Sequence, residues 1–223
     1  VLFFFGSLFL FAEKASAAAC GGPTECACGD TITSNYTFTK DVECTGFNEL
    51  KFYAGAENIT IDCGNHWLVG GYDFSKTPYL DSVFKSAAGC PVGGCQNVTI
   101  INCRMKNVYW GFEPRKGWRL FNNKIITADQ GVRLSANIDN LIVARNSFYN
   151  VVYGVASNLG AGASVGAGIQ IYGNDFLEVK VRESGSSNDA AIFLQRPKSA
   201  LIYKNRITSY GTGVAQWNSG IHL

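Results

Sequence analysis

One pattern recurs along this chain and restricts its fold more than any other feature: apolar, any residue, apolar, two residues, Asn, any residue, apolar. Four copies are clear: Trp118-x-Leu120-x-x-Asn123-x-Ile125, Leu141-x-Val143-x-x-Asn146-x-Phe148, Ile169-x-Ile171-x-x-Asn174-x-Phe176 and Ala200-x-Ile202-x-x-Asn205-x-Ile207. Val98-x-Ile100-x-x-Cys103-x-Met105 is a fifth copy, with Cys at the Asn position. Between the copies a small residue precedes an apolar one, at Gly111-Phe112, Gly131-Val132, Gly154-Val155, Ala191-Ile192 and Gly213-Val214. Alternation with a period of two, carried by β-branched and aromatic residues, predicts two short strands per repeat, and no sustained helical periodicity competes with it.

A unit this small cannot bury its own apolar face, so the repeats must stack and share one continuous core. Successive Asn positions, counted from Cys103 through 123, 146, 174 and 205, lie 20, 23, 28 and 31 residues apart, which predicts one turn of chain per repeat with loops of varying length. Loops are expected at Ser157–Gly168, at Glu183–Asn188 and across Gly70–Gln96, each rich in Gly or polar residues. The recurring Asn is expected to adopt left-handed backbone angles at a sharp turn and to bond neighbouring backbone, so that stacking aligns an Asn ladder. A leucine-rich repeat is the competing fold, since Ile138-x-x-Leu141-x-Val143-x-x-Asn146-x-Phe148 fits that consensus. Leu is sparse, however, and the Gly-Val signal replaces the expected helix.

These repeats, with the opening Cys28-Gly-Asp-Thr-Ile-Thr-Ser-Asn-Tyr-Thr-Phe-Thr, Cys44 and Glu57-Asn-Ile-Thr-Ile-Asp-Cys-Gly-Asn65, resemble the right-handed parallel β-helix repeat proteins. That broad group includes NosD-like periplasmic proteins and pectate-lyase-like enzymes, and the resemblance covers roughly residues 28–223. It implies an all-β fold, a right-handed parallel β-helix (solenoid) with an Asn ladder and loop insertions. The Asp-Asp, Gly-His-Gly and Arg-Ile-Lys signatures of polygalacturonases and the Arg-x-Pro-x-x-Arg stretch of pectate lyases are absent, and Arg196-Pro197-Lys198 is only superficially similar to the latter. Fold likeness alone therefore assigns no activity.

Composition limits the class of partner. With 47% hydrophobic and 16% charged residues the chain can fill a core, and a net charge of +2 without a basic run gives nucleic acid no electrostatic footprint. Residues 1–19 are expected to be a signal peptide lacking its own first residues: an apolar run from Val1 to Ala12, too short to span a bilayer, precedes small-residue cleavage sites at Ala15-Ser16-Ala17 and Ala17-Ala18-Ala19. Residues 20–223 are then the β-helix domain, expected to continue past Leu223 because Ile221-x-Leu223 repeats the strand of Ile202. Secretion, a periplasmic location or the cell surface follows. Eight cysteines (20, 26, 28, 44, 63, 90, 95, 103) in the first half favour disulfides of open connectivity. Lipid attachment at Cys20 and zinc at Cys26-x-Cys28 are weaker readings, because Ala17 stands where a lipoprotein signal carries Leu and no second Cys or His pair follows at the required spacing.

The candidate binding face follows the Gly-Val strands: Glu113, Arg115 and Lys116, then Asp129 and Arg133, then Gln195 and Arg196, and finally Gln216 and Trp217. Stacking should bring Glu113 against Arg133, most simply as a cross-strand ion pair. On the first strands, Thr60, Thr99, Arg119, Ile142, Gln170, Leu201 and then Asp62, Ile101, Phe121, Ala144, Tyr172, Tyr203 point outward. That apolar strip is expected to be covered by the 70–96 insertion or to offer rings for sugars. Carbohydrate binding through Arg115, Lys116, Tyr172, Gln195 and Trp217 is the leading expectation. A polysaccharide lyase is the first alternative, with Arg133 or Lys116 as base and Ca²⁺ called for only in that case. A glycoside hydrolase would draw on Glu113, Asp129, Asp175 and Asp189, which form no recognisable doublet. A periplasmic or surface scaffold is the last reading. Asn35, Asn58 and Asn97 sit in sequons, and two of them, Asn58 and Asn97, are read more simply as turn residues at strand entries than as glycosylation sites.

Overall fold

The computed structural model describes residues 18–44, 51–72, 82–90, 94–157, 159, 163–179, 190–208 and 219–223. These residues form strands and no helix, arranged in two parallel sheets. A seven-stranded sheet of short strands runs in sequence order through Tyr36–Thr37, Thr60–Asp62, Thr99–Ile101, Arg119–Phe121, Ile142–Ala144, Ile169–Tyr172 and Ala200–Tyr203. A thirteen-stranded sheet contains the long strands Arg104–Glu113, Lys124–Leu134 and Ser147–Ser157. The chain alternates between the sheets, and each strand pairs with its equivalent one repeat away: Leu120 lies between Ile100 and Val143, Ile125 between Met105 and Phe148.

The register places the core in three inward columns, every member fully buried. Ile61, Ile100, Leu120, Val143 and Ile171 form one; Leu68, Met105, Ile125, Phe148 and Phe176 the second; Phe52, Phe84, Phe112, Val132, Val155 and Ile192 the third. Each such side chain removed from water contributes about 2 kcal/mol. Aromatic neighbours within a column stack face to face, Phe148 on Phe176 at 4.9 Å and Phe84 on Phe112 at 5.8 Å. The small residue of the Gly-Val signal has its reason here. A β-carbon on Gly131 would run into the Phe148 ring, and one on Gly154 into the Phe176 ring.

The Asn ladder is present, but its backbone logic differs from expectation. Asn123, Asn146 and Asn174 are buried, and none has a positive φ. The left-handed residue is the one before each ladder position: Asn102, Asn122, Arg145, Gly173 and Lys204, with φ between 53° and 62°. The ladder side chain bonds instead of bending. Asn146 Nδ2 donates to Leu120 O and Asn174 Oδ1, while Asn146 Oδ1 accepts from Asn123 N at 2.9 Å. At the end of the ladder Cys103 N donates to Asn123 Oδ1, and the Cys103 side chain continues the column as a disulfide to Cys63.

Three further expectations change. The Asn-x-apolar and Gly-Val segments are one long strand, bent by a left-handed residue at Asn107, Thr127 and Asn150, where the pairing skips a residue. The 70–96 insertion does not cover the short-strand sheet in its described part: Ser82–Ser86 joins the long-strand sheet, between Phe52–Ala54 and Arg104–Glu113. Ser157–Gly168 is only partly a projecting loop, because Ser157 ends a strand, Val165 is fully buried and Ser164 O accepts from Asn137 N. Glu183–Asn188 lies outside the described residues.

All eight cysteines pair, as Cys20–Cys26, Cys28–Cys44, Cys63–Cys103 and Cys90–Cys95. Lipid on Cys20 and zinc at Cys26-x-Cys28 are thereby replaced, since their thiols are joined to other cysteines. Four disulfides point to an oxidising compartment. Among the described residues no helix is long and apolar enough to cross a membrane.

Candidate functional site

The outer side of the long strands carries the cluster that the stacking places together. Glu113 ends its strand and lies against Arg133, which belongs to the next strand of the sheet. Its carboxylate is 3.8 Å from Arg133 Nη1 and 3.5 Å from Arg115 Nη2, and it accepts hydrogen bonds from Ser82 Oγ at 3.2 Å and Ser135 Oγ at 3.4 Å. The expected cross-strand contact is therefore present. With 16% of its side chain exposed, Glu113 is engaged by two guanidiniums and two hydroxyls.

Arg133 lies over the Trp110 ring, 3.7 Å from its centroid. The contact holds its donors in place and covers the indole face. Trp110 pairs in register with Gln130, and both side chains are more than nine-tenths buried. Among the described residues, neither Trp110 Nε1 nor Gln130 Oε1 has a hydrogen-bond partner. A buried donor or acceptor without a partner costs about 1–3 kcal/mol. The sequence reading missed both residues, because it took candidates only from Glu113 onward in that repeat and did not list the strand's own outward positions. The stacking register itself was the available signal: Trp110 and Gln130 occupy equivalent positions in successive Gly-Val strands.

Beyond Glu113 the chain turns through Pro114 to Gly117, and Arg115 and Lys116 line a cleft of about 540 Å³. Ser86, Ala87, Ala88, Cys90 and Gly94 form one wall, and Ala136, Asn137 and Ile138 the other. The first wall is fixed from below: Trp118, fully buried, donates its Nε1 to Cys95 O at 2.7 Å, and Cys95 N donates to Ser86 Oγ. Arg115 connects cleft and cluster, with Nη1 on Ser135 Oγ at 3.1 Å. Among the described residues no carboxylate lines the cleft, and Arg115, one of its two cations, also lies 3.5 Å from the Glu113 carboxylate.

No protein-family model, curated protein or solved structure matches the chain. The site must therefore be judged on geometry. Glu113, Arg115, Lys116 and Arg133, named from sequence, come together. Tyr172 lies elsewhere, outward on the short-strand sheet, stacked on Tyr203 at 4.9 Å. Gln195 is occupied by the fold: its N–H donates to Ser157 Oγ and its Oε1 accepts from Leu159 N. Asp175 forms an ion pair with Arg206 at 2.8 Å. Trp217, Gln216 and Asp189 lie outside the described residues. Among the described residues no three His, Cys, Asp or Glu side chains group so as to hold a metal ion.

Proposed function

We propose that this chain is an exported right-handed parallel β-helix that binds carbohydrate bearing acidic groups, in the cleft of Arg115 and Lys116 and along the adjoining Arg133–Trp110 surface. The observation that carries the reading is the junction of the two features. A cleft lined, among the described residues, by Arg115 and Lys116 and by no carboxylate continues through Arg115 to the Arg133 guanidinium, which is held on the Trp110 ring. Guanidinium recognises carboxylate by paired hydrogen bonds. Parallel stacking supports the solenoid reading, and four disulfides support export.

Binding is favoured over catalysis because Glu113 is bonded on both oxygens by side chains of the protein. The test is titration of the protein with polygalacturonate, alginate and a neutral glucan, following affinity, reducing ends and unsaturated-uronate absorbance together. Saturable binding to an acidic polymer is expected, weakened at least tenfold in the Arg115→Ala/Lys116→Ala variant, with no new chain ends. Unsaturated product would replace the proposal with a lyase, and affinity unaffected by the two substitutions would remove the cleft from it.

A further inference from the structure

We infer a second carbohydrate-binding surface, for polymers with regularly spaced carboxylates, on the outer face of the long-strand sheet where Trp67, Arg104, Lys106 and Lys124 lie together. It shares the ligand class proposed above and rests on that reading, but has no residue in common with the cleft. Alternation places these side chains: Leu68, Met105 and Ile125 point inward and are fully buried, so Trp67, Arg104, Lys106 and Lys124 beside them face out. Arg104 sits 4.6 Å and Lys106 5.4 Å from the centroid of the same Trp67 ring.

The charge arrangement asks for a partner. Trp67, Arg104, Lys124, Ser147, Asp175 and Arg206 are in register across the sheet. At its far end the column opposes Asp175 to Arg206, an ion pair at 2.8 Å. Arg104 and Lys124 instead place like charges directly opposite, a pairing that destabilises a sheet. Among the described residues, no carboxylate lies within ion-pair distance of Arg104, Lys106 or Lys124. Asp41, nearby, is engaged by Trp67 N at 2.9 Å and His66 Nδ1 at 3.2 Å, and the Arg104 charge acts on it from beyond ion-pair distance. Strands stack about 4.8 Å apart, so Arg104 and Lys124 set cations at a fixed short interval beside the half-buried Trp67 ring, a spacing that suits successive carboxylates of a uronate chain.

The Arg104→Gln/Lys124→Gln variant tests this with polygalacturonate as the probe. Affinity is expected to fall at least fivefold and its salt dependence to weaken. Unchanged affinity in this variant overturns the surface even where Arg115→Ala/Lys116→Ala shows the cleft to bind. The reverse result leaves the surface and removes the cleft. Equal loss of binding to duplex DNA or to anionic vesicles overturns a carbohydrate occupant in favour of a general polyanion site.

Discussion

Asn146 shows how one side chain can tie three rungs together. Its amide donates to Leu120 O, Ala144 O and Asn174 Oδ1, and its oxygen accepts from Asn123. Replacing it with Ala strands several buried backbone groups, and a loss of about 3 kcal/mol is expected in urea unfolding. The preceding Arg145 holds a φ of 57°, in a column where Gly173 already stands. Arg145→Gly should therefore leave stability level or raise it by about 1 kcal/mol. The opposite ordering of these neighbouring variants would contradict the division between the bonding residue and the bending one. The recurrence of Asn made the ladder legible in the sequence. The bend was not, since Asn holds it at 102 and 122 while Arg145, Gly173 and Lys204 hold it in the other repeats.

At the scale of the strand, the bend hides for the same reason: the left-handed residues Asn107, Thr127, Asn150 and Glu178 are not of one type. Only the skipped pairing around them shows that two apparent strands are one. The cross-strand contact of Glu113 with Arg133 was legible, because it needs only the repeat length. Trp110 and Gln130 were not, because an outward aromatic within a strand looks like another core residue until the register is known. Cys63–Cys103 closes a separation of 40 residues at the point where the ladder changes from Asn to Cys. Removing it as Cys63→Ala/Cys103→Ala should lower stability by about 4 kcal/mol, read by chemical denaturation.

Asp41 fastens the strand Trp67–Val69 from outside. The Trp67 N–H holds its carboxyl below the ordinary value of 3.8; the His66 hydrogen bond and charge and the Arg104 charge act the same way, while burial opposes them. A depressed folded value means that the contribution is complete above the ordinary value and is lost as pH falls through the lower one. Asp41→Asn should thus flatten the fall of melting temperature with acidification below pH 3.8, and an unchanged acid limb would show that the contact adds nothing to stability.

For the whole molecule, stacking converts short apolar segments into one core and repeats every outward position at a constant step. Charges and rings separated by 20 to 31 residues in sequence become neighbours in space. This explains what composition concealed: a net charge of +2 with scattered Lys and Arg gives no basic run, yet register gathers Arg115 with Arg133 and Arg104 with Lys124. The choice of ligand was less legible than the stacking, because the chemistry is assembled only by the fold.

Hydrogen exchange with and without saturating oligogalacturonate tests the central claim most directly, since it reads contact along the whole chain at once. Slowed exchange across residues 110–117 and 133–138 is the result predicted for binding at the Arg133–Trp110 surface and the adjoining cleft. Saturation of the protein with no slowing in either segment would contradict it.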